Sequence, residues 1–188
     1  MTAPPLNIST PRLDLIAATA LLARADASDR ARFADLLGAV IPPGWPPEVM
    51  ADVQEHFADQ LEKGFAVPGW WSWYGVLRKA GGGRVLIGNA GLAGQPDSEG
   101  SVTMGYSVVD GHEGAGYASE MVAGLLQWMT ASGRVKRVLA TTFERHFASI
   151  RVLEKNGFAW KGVSSEDAAA ADTDRQGRGA LMLFVREL

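Results

Sequence analysis

The segment Tyr106-Ser107-Val108-Val109-Asp110-Gly111-His112-Glu113-Gly114-Ala115-Gly116-Tyr117-Ala118-Ser119-Glu120 constrains this chain more than any other. A β-prone apolar run enters a turn holding three glycines, and a helical pattern opens directly behind it. Met121, Val122, Leu125, Leu126 and Met129 then recur at helical spacing, until Gly133 ends the run. A strand that feeds a helix through glycines leaves backbone N–H groups at the helix start pointing outward with partial positive charge. Such a turn can cradle a phosphate, and Gly114 and Gly116 let the backbone approach it closely. On spacing alone, a tight strand-to-helix turn without a ligand is an equal alternative.

Two familiar phosphate binders fail on the residues that follow. A P-loop closes on Gly-Lys-Ser/Thr, which Gly116-Tyr117 does not supply. A dinucleotide fingerprint wants a third small residue, for which Ser119 nearly serves, and an acid about 20 positions on. The chain there is basic, with Arg134, Lys136 and Arg137, and the 72 residues after Gly116 are too few for a full doubly wound sheet.

The rest of the chain frames this segment. A first strand is expected over 12–16, and helical spacing over 20–37 with a break near Ala27-Ser28-Asp29 that offers a cap. The run Ile41-Pro42-Pro43-Gly44-Trp45-Pro46-Pro47 can be neither helix nor central strand, and a second helix is expected over 48–63. Strands follow over 71–78, 84–91 and 101–109, the first two joined as a hairpin through Gly81-Gly82-Gly83. Beyond the central helix the pattern gives a strand over 135–143, a helix over 147–155 stopped by Asn156-Gly157, a strand over 158–163, an exposed loop over 164–179 and a last strand over 180–187.

Composition narrows the classes. At 188 residues the chain fits one domain over 1–188, and it needs no disulfide or metal staple to bury a core. The absence of cysteine removes thiolate metal sites and a cysteinyl nucleophile together. Three scattered histidines, His56, His112 and His146, make a histidine metal site unexpected. A formal net charge of −3 gives no general reason to bind nucleic acid, and no apolar stretch is long enough to span a membrane. The opening residues lack the pattern of a signal peptide, so a soluble, cytoplasmic protein is expected.

Beyond these physical readings, the chain resembles the GCN5-related N-acetyltransferases (GNAT), in the branch similar to the ribosomal-protein N-terminal acetyltransferases. The resemblance begins at Thr10-Pro11-Arg12-Leu13, includes residues 85–91 and Met104-Gly105-Tyr106-Ser107-Val108, and is strongest over 111–162. The family's pyrophosphate signature falls on residues 111–116, with Gly111 where Arg or Gln is usual and Glu113 adding an acid. Ala148-Ser149-Ile150-Arg151-Val152-Leu153-Glu154-Lys155-Asn156-Gly157-Phe158 matches the family's next helix and strand almost residue for residue.

The resemblance implies an α/β (α+β) GNAT fold, with a mixed, mostly antiparallel sheet of about six to seven strands, about four flanking helices and a splay between two central parallel strands. It implies acetyl-CoA as co-substrate and no metal. Tyr106, Ser107, Val108, Glu113, Gly114, Ala115, Gly116, Tyr117, Ala118, His146 and Ser149 would bind it. An amide near residues 106–108 would polarise the thioester carbonyl, and Ser149, whose bland role is capping, would serve the leaving thiolate. The acids this branch often carries are replaced by Thr103, Thr141 and Lys161, which leaves Glu99, Glu144 and, less favoured, Asp97 as candidate bases.

In the family, the region of the two-helix insertion and the strand after it walls the acceptor site. Here it carries Trp45, Trp70, Trp71, Trp73 and Tyr74. Trp73 and Trp128 read as core. Trp45, on a proline-rich loop read as exposed, and Trp71 read as substrate contacts. The expected activity is acetyl transfer to a primary amine, on a protein N-terminus or a small molecule, by direct attack. The alternative is a non-catalytic acyl-CoA-binding or sensor module. A homodimer is a further expectation.

Overall fold

The computed structural model describes residues 6–47, 53–164 and 177–188. The start of the helix expected from residue 48 and most of the loop expected over 164–179 lie outside the described residues. Among the described residues the elements run β1 (Asn7–Ser9), β2 (Leu13–Ala17), α1 (Ala20–Ser28), α2 (Arg30–Leu37), α3 (Gln54–Glu62), β3 (Ser72–Arg78), β4 (Arg84–Leu92) and β5 (Ser101–Val108). They continue with α4 (Tyr117–Ser132), β6 (Arg137–Phe143), α5 (Phe147–Lys155), β7 (Ala159–Val163) and β8 (Leu181–Glu187).

The expected break in the first helical stretch is real. Thr19 Oγ1 accepts from the Leu22 N–H at 3.3 Å to start α1, and Asp29 accepts from the Arg32 N–H at 3.0 Å to start α2. Each side chain satisfies one orphan donor of a helix beginning. Counting α1 and α2 separately gives five helices among the described residues, against about four expected. The sheet has eight strands among the described residues, against about six to seven expected. The extra strand, β1, lies in the polar opening and is only 3 residues long. It pairs antiparallel with β2, Ile8 opposite Leu15, so a long-range partner rather than local alternation makes it a strand.

The strands form one sheet in the order β1-β2-β3-β4-β5-β6-β8-β7, antiparallel throughout except between β5 and β6. One face packs on α4 and α5 through Leu15, Trp73, Ile87, Met121, Leu125, Met129 and Leu153. The other packs on α1–α3 through Leu22, Phe33, Leu37, Leu61, Tyr74, Val76 and Leu86. Met121, Leu125 and Met129 are wholly buried. Burial of each such side chain contributes about 1.5–3 kcal/mol.

Strand β5 belongs to two ladders. Its first residues, Ser101, Val102 and Thr103, pair in parallel with Arg137, Val138 and Leu139 of β6. From Met104 to Val108 its ladder is with β4 instead, Met104 opposite Leu92 and Val108 opposite Gly88. The two central strands therefore part after Thr103. A side chain at Gly88 would oppose this arrangement, because a Cβ there would lie 2.3 Å from the Ser107 carbonyl oxygen. The glycine lets β4 lie flush against the splayed half of β5.

Candidate active site

The glycine loop lies at the mouth of the splay. Gly116 has φ +82° and N-caps α4 with no side-chain cap, so the first N–H groups of a 16-residue helix are left for another acceptor. A groove of about 300 Å³ runs from this loop to the open half of β5, with α5 as its far wall. Tyr106, Ser107, Val108, Glu113, Gly114, Gly116, Tyr117, Ala118, His146 and Ser149 all line it, which is the set expected from the sequence apart from Ala115. The Ala115 carbonyl is instead turned to Arg12 Nη1 at 2.9 Å.

Arg12 and Glu120 fix the loop's shape. Glu120 Oε1 accepts from Thr10 Oγ1 at 2.6 Å and from the Arg12 N–H at 2.7 Å, and Oε2 accepts from Arg12 Nε at 2.7 Å. The Arg12 guanidinium also lies 4.4 Å from the centre of the Tyr117 ring. Burial raises the Glu120 carboxyl, but these hydrogen bonds and the Arg12 charge hold it below the usual carboxylate range. One acid in the first turn of α4 thus ties the N-terminal strands to the loop.

At the other end of the groove the Tyr106 hydroxyl meets α5. It lies 2.9 Å from Ser149 Oγ and 3.0 Å from the Ser149 carbonyl oxygen. Ser149 therefore does not cap its helix, and α5 has no side-chain cap at all. Burial pushes the Tyr106 phenol up to about 12, so it stays a proton donor at neutral pH. His146 lines the same end, with Nδ1 3.4 Å from Thr142 Oγ1.

The candidate bases fall elsewhere. Glu99 lies in the turn before β5, two residues ahead of Ser101, at the paired end of the strand and away from the splay. Asp97 is engaged in the same turn, accepting from the Glu99 N–H at 2.9 Å and the Ser101 N–H at 2.8 Å. Glu144 follows β6, is exposed, and is not part of the groove wall, its side chain lying against Gly179. Among the described residues Glu113 is the only carboxylate lining the groove.

Trp45 is a correction. Rather than standing on an exposed loop, it is 5% exposed, and its indole Nε1 donates to Asp26 Oδ1 at 2.6 Å. The Tyr74 hydroxyl donates to Asp26 Oδ2 at 3.1 Å. The proline run is thus folded inward against α1, because a buried carboxylate needs donors and the indole supplies one. Burial raises the Asp26 carboxyl, and the hydrogen bonds from Trp45 and Tyr74 only partly offset that. Trp45, Trp71, Tyr74, Phe57 and Asp26 line a narrow cavity of about 20 Å³ on the α1–α3 face. That is room for about one water-sized group. Trp73 and Trp128 are core, as the sequence suggested.

The groove also holds residues without an expected role: His112, Ser119, Ala148, Arg151, Val152 and Lys155. Four of them carried a usable signal. Ala148, Arg151, Val152 and Lys155 follow the i, i+3, i+4, i+7 pattern of a single helix face, and Ser149 sits beside it.

Comparison with known proteins gives the family and the fold. The sequence model of the family described as acetyltransferase (GNAT) domain matches residues 9–159. An uncharacterized N-acetyltransferase, YjdG, of Bacillus subtilis is 27% identical over 122 residues, which span 65% of this chain and 71% of that protein. Two solved structures share the fold. RimL, a ribosomal L7/L12 alpha-N-protein acetyltransferase in complex with coenzyme A, matches with a TM-score of 0.64 at 16% identity, over 97% of this chain and 98% of that one. A ribosomal-protein-S5-alanine acetyltransferase from Vibrio fischeri matches with a TM-score of 0.64 at 15% identity, over 97% of each chain. No helix among the described residues is long and apolar enough to cross a membrane.

Proposed function

The chain belongs to the GNAT acetyltransferase family, and on that premise we propose that it transfers an acetyl group from acetyl-CoA to a primary amine by direct attack. The observation that carries this reading is the continuity of one groove from the bare N-terminus of α4 to the open half of β5. A diphosphate suits the first end, where Gly114 and Gly116 keep side chains away from the helix N–H groups. An extended amide-bearing arm suits the second, where β5 has left β6.

Acetyl-CoA supplies an activated thioester. The backbone at Tyr106, Ser107 and Val108, which lines the groove, would polarise its carbonyl. The Tyr106 hydrogen has two acceptors at nearly equal distance, the Ser149 carbonyl and Ser149 Oγ. Swinging it onto Oγ frees the serine O–H to hydrogen-bond a departing thiolate while the phenol keeps its own proton. The proton the thiol finally takes is the one the attacking amine loses, passed on through water. No cysteine exists to carry the acetyl group, in keeping with direct attack. The acceptor's deprotonation falls to His146, to Glu113 or to water, since Glu99 and Glu144 lie off the groove.

The acceptor approaches from the α1–α3 side, where half-buried Trp71 packs edge-on against Phe57. A protein N-terminus or a small amine both satisfy the chemistry. The test is thiol release from acetyl-CoA across a panel of amino acids, polyamines and N-terminal peptides. Turnover with any of them supports the transferase. Tight coenzyme A binding with no turnover across the panel favours the sensor module, a reading encouraged by the scarcity of carboxylates in the groove.

A further inference from the structure

The charge pattern across the groove is one-sided. Gly111 opens the glycine loop with no side chain, and a Cβ built there would meet nothing within 4 Å. Glu113 adds a negative charge on the loop side. The nearest cation on that side, Arg12, is already paired with Glu120 at 2.7 Å. Among the described residues, the loop wall therefore offers a phosphate its backbone N–H groups and, in Arg12, a cation already paired.

The opposite wall supplies what is missing. Arg151 and Lys155 lie one turn apart on α5, and both line the groove. Neither side chain has a hydrogen bond or ion pair among the described residues. Lys155, in the last turn, is favoured there by the helix dipole, but that does not account for Arg151. The wall is also held in place. Asn156 Nδ2 donates to the Ser119 carbonyl at 3.2 Å, tying the end of α5 to the first turn of α4. Arg186 in turn donates to the Asn156 carbonyl.

We propose that Arg151 and Lys155 form a phosphate clamp, which neutralises cofactor phosphate from α5, across the groove from the loop where Gly111 carries no side chain. The proposal rests on the acetyl-CoA reading above. A guanidinium and an ammonium across a narrow groove from helix N–H groups give an anion donors on two sides. The clamp recognises phosphate chemistry common to the diphosphate and the 3′-phosphate, and ligand choice separates the two.

Calorimetric titration of the full chain with coenzyme A, dephospho-coenzyme A and pantetheine tests it. The Arg151→Gln/Lys155→Gln double variant is expected to weaken coenzyme A binding by about tenfold or more at low ionic strength, with pantetheine unaffected. An equal loss for dephospho-coenzyme A places the clamp on the diphosphate, and a loss confined to coenzyme A places it on the 3′-phosphate; either supports it. The charge-conserving Arg151→Lys/Lys155→Arg variant should bind nearly as wild type, which separates lost charge from damaged folding. Wild-type affinity in the Gln variant overturns the clamp. A wild-type chain that binds neither coenzyme overturns the acetyl-CoA reading itself.

Discussion

The Tyr106 hydroxyl and the Ser149 hydroxyl lie 2.9 Å apart, joining the splayed strand to the first turn of α5. They form one short relay, so their removal should not be additive. Ser149→Ala and Tyr106→Phe are each expected to lower kcat by about tenfold to a hundredfold, and the double variant no further than the worse single. Coenzyme A affinity should hardly move. Steady-state rates with an amine that turns over, beside a binding titration, give the answer; an unaltered rate in Ser149→Ala returns that serine to a structural role. Because burial pushes the Tyr106 phenol up to about 12, the wild-type pH profile should show no tyrosine limb around neutrality.

Gly116 separates backbone strain from phosphate repulsion. At φ +82°, an added Cβ meets only Arg12 Nη2, at an unstrained 3.6 Å. Gly116→Ala should therefore cost about 1–2 kcal/mol of stability through backbone conformation, with coenzyme A binding retained. Gly116→Glu should fold at similar cost, yet bind coenzyme A at least about tenfold more weakly, since it adds a carboxylate beside the diphosphate. Thermal melts and calorimetry on both variants distinguish the effects.

Glu120 should impose an acid limit on the loop. Its folded carboxyl ionises more readily than its ordinary value of 4.5. Its contribution is thus complete above that value and disappears as pH falls through the lower folded value. Glu120→Gln is expected to cost about 1.5–3 kcal/mol at neutral pH, as a partly buried, charge-assisted network is lost. Denaturant titrations should find the gap closing below pH 4.5. A constant gap would mean the carboxylate charge plays no part.

Asp26 should behave in the opposite sense. Burial lifts its folded carboxyl above the ordinary 3.8, so the folded chain holds that proton longer than the unfolded one. Stability from this group falls as pH rises from 3.8 through the raised folded value. Asp26→Asn, which cannot ionise, should gain on wild type as pH climbs through that window. Trp45→Phe, which removes one donor to the same carboxylate, should cost about 1–3 kcal/mol. Urea unfolding across the pH series tests both, and a flat Asp26→Asn difference would contradict the raised carboxyl.

What the sequence disclosed depended on range. The glycine loop and α4 were legible because their signals are local: glycines at 111, 114 and 116, then apolar residues at helical spacing. The Asp29 cap lies in the same class, since the break near Ala27-Ser28-Asp29 announced it. β1 was missed because pairing with β2 is what makes it a strand. Trp45 was misread because the prolines around it suggest an exposed loop, while its partner Asp26 lies 19 positions away. Glu99 looked plausible as a base because a sequence does not say at which end of a strand the groove opens, and Glu144 because it does not say which way a side chain at the open end faces.

The divided strand β5 gives the sheet a third border. Open sheets have two edges, at the outermost strands, where free N–H and C=O groups invite another chain. Here a further stretch of edge lies between Met104–Val108 and the upper part of β6, in the middle of the molecule. It lies inside the groove walled by the glycine loop and α5 rather than at the rim of the sheet. A single extended chain suits such a gap better than the edge of another sheet does. The sheet thus selects for slenderness before any side chain is consulted, and it keeps its most reactive edge away from aggregation.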